Sequence, residues 1–262
     1  MSTAAAAKLR VASVSYLNSK PLIYGLDQAP GIDLSLEVPA RLIDALVAAE
    51  ADVALLPTID YQRHEGLRIV PSGGIGCDGP TLTVRIFSKR PISQTKVLAC
   101  DPDSHTSIAL ARIIFAEHYG IHPEFTDLSR APGETRLLIG DKVVCEEPAG
   151  FDHQLDLGEA WKEMTGMPFV FAVWVARAGI ALGDLPKHLV QAKHSGLAHV
   201  DELVERFAVP RGWPANLARQ YMTRNLQYDI GDAQIRAIEH FHRLAALHGL
   251  IASPARPLVI HG

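Results

Sequence analysis

The chain has 262 residues, 48% of them hydrophobic and 21% charged, with a formal net charge of −4. That is enough apolar material for one large domain or two small ones without metals or disulfides. The balance lacks the basic stripe of a nucleic-acid binder, no apolar run approaches the ~18 residues of a membrane span, and the three cysteines (Cys77, Cys100, Cys145) form no C-x-x-C pair.

The opening "MSTAAAAKLR" is too short and too weakly apolar for a signal-peptide core, and its basic residues follow the alanines. With free thiols suited to a reducing compartment, the expectation is a cytoplasmic protein, with no nucleic acid and no membrane as partners. Residues 9–14 form a β-branched run that predicts a buried strand. Residues 19–26 predict a helix with Pro21 in its first turn, where a missing N–H costs nothing. Residues 32–38 alternate like a strand, and Leu42, Ile43, Leu46 and Val47 recur at helical spacing before a short strand over 53–56. Strand, helix, strand, helix, strand implies a parallel sheet with helical crossovers.

Strands are predicted next over 67–70 and 81–88, flanking the glycine-rich "PSGGIGCDGP" read as a loop. "SKRPISQTK" is read as a crossing segment, 97–100 as a new strand and 107–118 as an amphipathic helix. Residues 137–139 and 143–144 are read as strands around a turn at Gly140-Asp141, and 168–175, "PFVFAVWV", as a buried strand returning to the first unit. From about 185 to 250 the pattern is helical. The organisation is one α/β unit with a second inserted in it: lobe I over 1–90 plus 171–262, and lobe II over 91–170. The chain then crosses twice, near 89–92 and near 168–172, and leaves a cleft between the lobes where a small ligand fits.

Six blocks carry a resemblance: "SYLNSKPLIYGL", "DGPTLTVRIFS", "HTSIALARIIFAEHYG", "LLIGD", "DLGEAWKEMTGMPFVFAVW" and "YMTRNLQYDIGDAQIRAIEHFHRLAALHGLI". In this order, across residues 9–251, they resemble the chorismate dehydratase family of the futalosine route to menaquinone. The resemblance implies an α/β, two-lobed fold like the type II periplasmic binding proteins, with a central cleft and two interdomain crossings. It implies a hydro-lyase that converts chorismate to 3-[(1-carboxyvinyl)oxy]benzoate with no cofactor and no metal. The expected assembly, which the sequence does not decide, is a monomer or homodimer. A sister family, the 1,4-dihydroxy-6-naphthoate synthases, is similar at "DLGEAW". It tends to read Ile-His-Glu, with a catalytic histidine, where this chain reads Ile139-Gly140-Asp141. Glycine supplies no acid or base, which favours the dehydratase. A non-catalytic small-anion-binding protein on the same fold is the reading from another class.

Chorismate is a dianion, and loss of water across C3–C4 makes its ring aromatic. A carboxylate base beside it is electrostatically awkward, whereas neutral donors and helix N-termini suit it. Asn18 offers one acceptor and two donors and is a very poor base. As the catalytic residue it would orient the substrate, with the proton passing to the substrate's own side-chain carboxylate. Alternatively Asn18 or Ser19 only caps a helix. Ser15 and Tyr16 share that strand tip and are substrate-binding candidates. "DSHTSIAL" places Ser104, Thr106 and Ser107 at a helix start, as a carboxylate cradle or as an ordinary N-cap. His105 inside this motif could help neutralise a carboxylate. Gly79, Pro80 and Thr81 follow the glycine run, for close backbone approach or for turn geometry alone. The family often has a basic residue near position 82, where this chain has Leu82 with Arg85 nearby. Thr58 ends the third strand and would share the Asn18 rim. Asp141 would bind the 4-hydroxyl or cap its turn. His240 and His242 read as surface residues, and Trp161 and Trp174 as core or hinge packing.

Overall fold

The computed structural model describes residues 8–102, 104–129 and 133–261. The N-terminal alanines and Asp103 of the "DSHTSIAL" block lie outside them. Strand β1 (Leu9–Val14) pairs in parallel with β2 (Ile32–Glu37), Leu9 opposite Ile32 through Val14 opposite Glu37. Between them the expected helix is two 3-10 segments, Leu17–Ile23 and Leu26–Gln28, with Gly25 at φ 72°. Pro21 sits inside the first segment, where its ring opposes an α-helical bond four residues back. Helix α1 (Pro39–Val47) begins on its proline and buries Leu42, Ile43 and Leu46, while Val47 faces solvent. Strand β3 (Val53–Pro57) is buried throughout and runs into a 3-10 turn, Thr58–Arg63.

Strand β4 (Leu67–Cys77) corrects the expected glycine loop, because the chain stays extended through all of it. The glycines serve close packing there rather than turning. A Cβ on Gly74 would lie 2.6 Å from the Ala172 carbonyl oxygen, and one on Gly76 2.7 Å from that of Phe169. No side chain fits between these backbones.

The chain then builds β5 (Val84–Ser88), β6 (Val97–Cys100), α2 (His105–Glu117), β7 (Glu124–Asp127), β8 (Thr135–Ile139), the single-turn α3 (Lys142–Cys145), β9 (His153–Asp156) and α4 (Leu157–Thr165). Residues 143–144 are therefore helical, not a strand. The left-handed Gly140 (φ 70°) turns the chain out of β8, and the Val143 N–H bonds back to its carbonyl. Strand β10 (Phe169–Arg177) follows, then α5 (Leu185–Ala198), α6 (Val200–Leu203), α7 (Ala215–Gln220) and α8 (Asp232–Leu247).

The strands form two five-stranded sheets, ordered β2-β1-β3-β10-β4 and β7-β6-β8-β5-β9. β5 pairs with β8 and β9, so it belongs to the second sheet, and the expected lobe boundary at 90 falls beyond it. Residues 89–92 only lead towards β6 through a 3-10 turn at Ile92–Gln94. The first crossing lies between Cys77 and Val84, and the return strand begins at Phe169, ahead of the expected boundary at 170–171. The misplacement has a sequence cause: residues 81–88 read as one uninterrupted strand continuing the first unit.

Each sheet has its own apolar core. Trp174 is buried in the first and Trp161 in the second. α8 belongs to both, giving Ile238 to the first core and Phe241, Leu244 and Ala245 to the second. His242, expected at the surface, is 1% exposed: its Nε2 meets the Thr58 carbonyl at 2.8 Å and its Nδ1 meets Gln62 at 2.9 Å. Among the described residues no helix is long and apolar enough to cross a membrane.

Candidate active site

Strand ends from both sheets face one cleft, which encloses about 640 Å³ free of protein atoms, its mouth included. From the first sheet come Val14 ending β1, Tyr16 and Asn18 just after it, Leu55 and Pro57 of β3, and Phe171 and Ala172 of β10. From the second come Thr81, Thr83 and Val84 on the way into β5, the 104–107 turn opening α2, and Ile139-Gly140 ending β8. Tyr221 and Leu226 close one side. The floor is apolar, and the polar lining is almost entirely hydroxyl and amide.

Asn18 is not spent on capping. Its 3-10 segment has Tyr16 at the N-cap with no side-chain cap bond. Ser19 does the local work instead, donating from Oγ to the Val14 carbonyl (2.7 Å) and the Tyr16 carbonyl (2.9 Å). The Asn18 Oδ1 is buried with no hydrogen-bond partner among the described residues. An amide oxygen withheld from both water and protein costs about 1–3 kcal/mol, so a ligand group there would satisfy it. Asn18 lies beside the Tyr221 hydroxyl, and that hydroxyl is 2.7 Å from Thr83 Oγ1. Burial pushes the Tyr221 phenol well up, more than Thr83 and Asn18 bring it down, so it stays a neutral donor.

On the facing lobe, Ser104 stands at the N-cap of α2 but makes no side-chain cap bond. Ser104 and Ser107 line the cleft. Thr106 lines it too, and its Oγ1 accepts the Ile59 N–H at 3.3 Å, tying α2 to the Thr58–Arg63 turn. Thr81 is placed by Asp156, whose carboxylate accepts the N–H groups of Thr81 (3.0 Å), Leu82 (2.7 Å) and, capping α4, Gly158 (2.9 Å). Leu82 is held at φ 70°, a left-handed conformation unfavourable for a side-chain-bearing residue.

Five predicted positions do not line the cleft. Thr58 is 1% exposed and donates inward, to the Val170 carbonyl at 2.9 Å, because β10 inserts beside β3 at that level. Ser15 is exposed, and its carbonyl accepts from Arg211 at 3.1 Å. Gly79 and Pro80 lie in the crossing behind Thr81; the Pro80 carbonyl accepts from Asn225 at 3.0 Å. Asp141 turns to Arg211, 3.1 Å away. Burial pushes the Asp141 carboxyl up, against the opposing pull of Arg211, the Leu17 N–H and Trp213. Arg85 pairs with Gln154 and Asp156 rather than the cleft.

Sequence reasoning missed Thr83, Tyr221, Phe171 and the shaping role of Asp156. An Asp followed three positions on by Glu159 is an N-cap signal, and it could have located Asp156. Tyr221 had no such signal: it sits in a π-helical turn (Tyr221–Asn225) and is buried in the first core. Among the described residues no three His, Cys, Asp or Glu side chains gather as a metal site.

The model of a menaquinone-biosynthesis protein family matches residues 9–247. The chain belongs to that family. Within the family's reach it is 28% identical over 254 residues to the chorismate dehydratase of Thermus thermophilus, covering 86% of this chain and 91% of that protein. It is 25% identical over 169 residues to the chorismate dehydratase of Campylobacter jejuni, covering 61% and 63%. In fold it is similar to an Archaeoglobus fulgidus crystal structure (TM-score 0.73, 19% identity, 93% and 98% of the two chains). It is also similar to the alkanesulfonate-binding protein SsuA of Xanthomonas axonopodis pv. citri, bound to MOPS (TM-score 0.70, 14% identity, 99% of both chains). The family member thus has the two-lobed fold of periplasmic binding proteins.

Proposed function

We propose that this protein is a cytoplasmic chorismate dehydratase, a hydro-lyase that forms 3-[(1-carboxyvinyl)oxy]benzoate for menaquinone synthesis without a cofactor. The observation that carries the reading is the cleft's polar inventory. Its described lining holds an amide, one imidazole (His105), five Ser and Thr hydroxyls and two phenols, with no carboxylate and no Lys or Arg. A dianion meets no like charge there, and its own side-chain carboxylate is the base nearest its C3 proton.

In this reading Asn18, through its unpartnered oxygen, orients the substrate at the C3–C4 bond, and Tyr221 and Thr83 hold the amide in place. The proton from C3 passes to the enolpyruvyl carboxylate, and the C4 hydroxyl leaves as water with a proton delivered from the same side chain. Tyr16, Thr81, Ser104, Thr106 and Ser107 bind the two carboxylates and the hydroxyl. Gly140 leaves the cleft at the end of β8 without an acid or base, and a Cβ there would meet the Tyr16 ring at 3.7 Å. That supports the dehydratase over the sister synthase. Ser15, Thr58, Gly79, Pro80 and Asp141 act from behind, as supports of the lining.

The test is incubation with chorismate, following loss of the diene absorbance and the product mass. The expected product is lighter by one water, and Asn18→Ala slows its formation on the order of 10²-fold or more. Unchanged chorismate would refute the reading, and unchanged turnover in Asn18→Ala would remove Asn18 from the reaction.

A further inference from the structure

Among the described residues lining the cleft, His105 is the one imidazole, and no side chain of fixed charge joins it. It opens α2 between Ser104 and Thr106. Its Nδ1 lies 2.8 and 3.0 Å from the two oxygens of Asp60. The Asp60 side chain is fully buried, at 0% exposure. Arg63 reaches the same carboxylate, 2.8 Å from Oδ1, and its guanidinium stands 3.1 Å from the imidazole Nδ1.

Arginine has donors and no acceptor. With Asp60 ionised, Nδ1 carries a hydrogen and donates it to the carboxylate, so Arg63 and His105 converge on Asp60 rather than bond each other. That fixes the tautomer and leaves Nε2 as the nitrogen the ring can offer the cleft. Arg63 already offsets the charge of Asp60. A proton on Nε2 therefore gives the three-residue group one net positive charge, on a wall where Ser104 and Ser107 present hydroxyls.

Resting on the reading that the substrate is a dicarboxylate, we propose that His105 is the cationic partner of one substrate carboxylate, donating from Nε2, and that Asp60 and Arg63 position it. The binding contact forms and breaks no covalent bond. The cleft then divides its labour: a charged grip at α2, and neutral groups around Asn18 where the ring reacts. A charge kept at the carboxylate end binds substrate and transition state alike, so it belongs in KM rather than kcat.

The experiment compares wild type, His105→Gln, His105→Arg and Asp60→Asn in steady-state turnover of chorismate and in calorimetric titration with isophthalate, a planar dicarboxylate probe. His105→Gln is expected to raise KM and the isophthalate Kd about tenfold or more with kcat within about threefold. His105→Arg restores both towards wild type, because it returns the charge without a titratable base. Asp60→Asn raises both by a smaller factor. Wild-type values in His105→Gln, or an Arg variant as weak as the Gln variant, overturn the proposal. Nitrogen-15 spectra of the unaltered protein give a readout that needs no variant: isophthalate shifts the His105 Nε2 signal, and an unmoved signal at saturation overturns the proposal. If wild type leaves chorismate intact, the dehydratase reading fails while the isophthalate and nitrogen-15 arms still decide the role of His105.

Discussion

The hydroxyls of Tyr221 and Thr83 meet at 2.7 Å across the cleft, joining a helical turn late in the chain to the segment that enters the second sheet. Asn18 lies against the same phenol. Tyr221→Phe removes the hydroxyl and keeps the packing. It leaves Thr83 and Asn18 short of a partner, at a cost of about 1–3 kcal/mol. The expected result is a melting temperature lower by a few degrees and chorismate turnover lower by about tenfold. Thermal denaturation and initial rates check both.

Arg211 holds two points at the cleft mouth, the Asp141 carboxylate and the Ser15 carbonyl, each at 3.1 Å. Arg211→Ala frees the β1 tip from the β8 turn, and kcat/KM is expected to fall about tenfold. Asp141→Asn weakens the same link. The double variant should therefore be no worse than the poorer single one, with a coupling of about 0.5–3 kcal/mol in the cycle. Fully additive losses would show that the two residues act separately.

His242 predicts how the protein meets acid. Burial lowers its pKa to about 4 from 6.5; the bond to the Thr58 carbonyl opposes that, and Arg256 adds to it. Between these values the unfolded chain binds a proton that the folded one refuses. Stability from this residue is full above pH 6.5 and is lost as pH falls towards 4. The whole step is about 3 kcal/mol. Urea unfolding at a series of pH values should show the loss, and His242→Gln should flatten it in that window.

Gly74→Ala tests the packing of β4 on β10. The new methyl would sit 2.6 Å from the Ala172 carbonyl oxygen and 2.7 Å from Ile230 Cδ1. Overpacking of this kind costs about 1–3 kcal/mol. In a chain of this size that is roughly 2–4 °C of melting temperature per kcal/mol. An unshifted melting curve would mean that the two strands separate easily.

The first half of the fold was legible because its signals are local. Leu42, Ile43 and Leu46 keep helical spacing, and β1 and β3 are short apolar runs. Gly74 and Gly76 misled because glycine is read as turn chemistry, and the need for close backbone approach arises from β10, almost a hundred positions later. At the site, Asn18 and the Ser104–Ser107 cluster were legible as polar groups at a strand tip and a helix start. Thr58 looked equivalent but points inward, since its hydroxyl has the Val170 carbonyl to bond. Which side of a strand end faces a cleft depends on neighbours that the local sequence does not name. Tyr221 shows the same limit in reverse, a residue of core type whose one polar atom reaches the site.

The place of β10 between β3 and β4 has a consequence for biogenesis. β3 and β4 each pair with β10 and not with each other. A nascent chain has therefore made the whole second sheet before β4 gains its strand partner. The insert can close on itself while the half that carries Asn18 still waits, with both borders of β4 open and only small residues from Ser72 to Gly74 to discourage a wrong neighbour. Pulse-labelled exchange should find amides of β5 and β8 protected before those of β4 and β10. The cleft is then the last feature to exist, created when one strand completes the waiting half and stitches it to the finished insert.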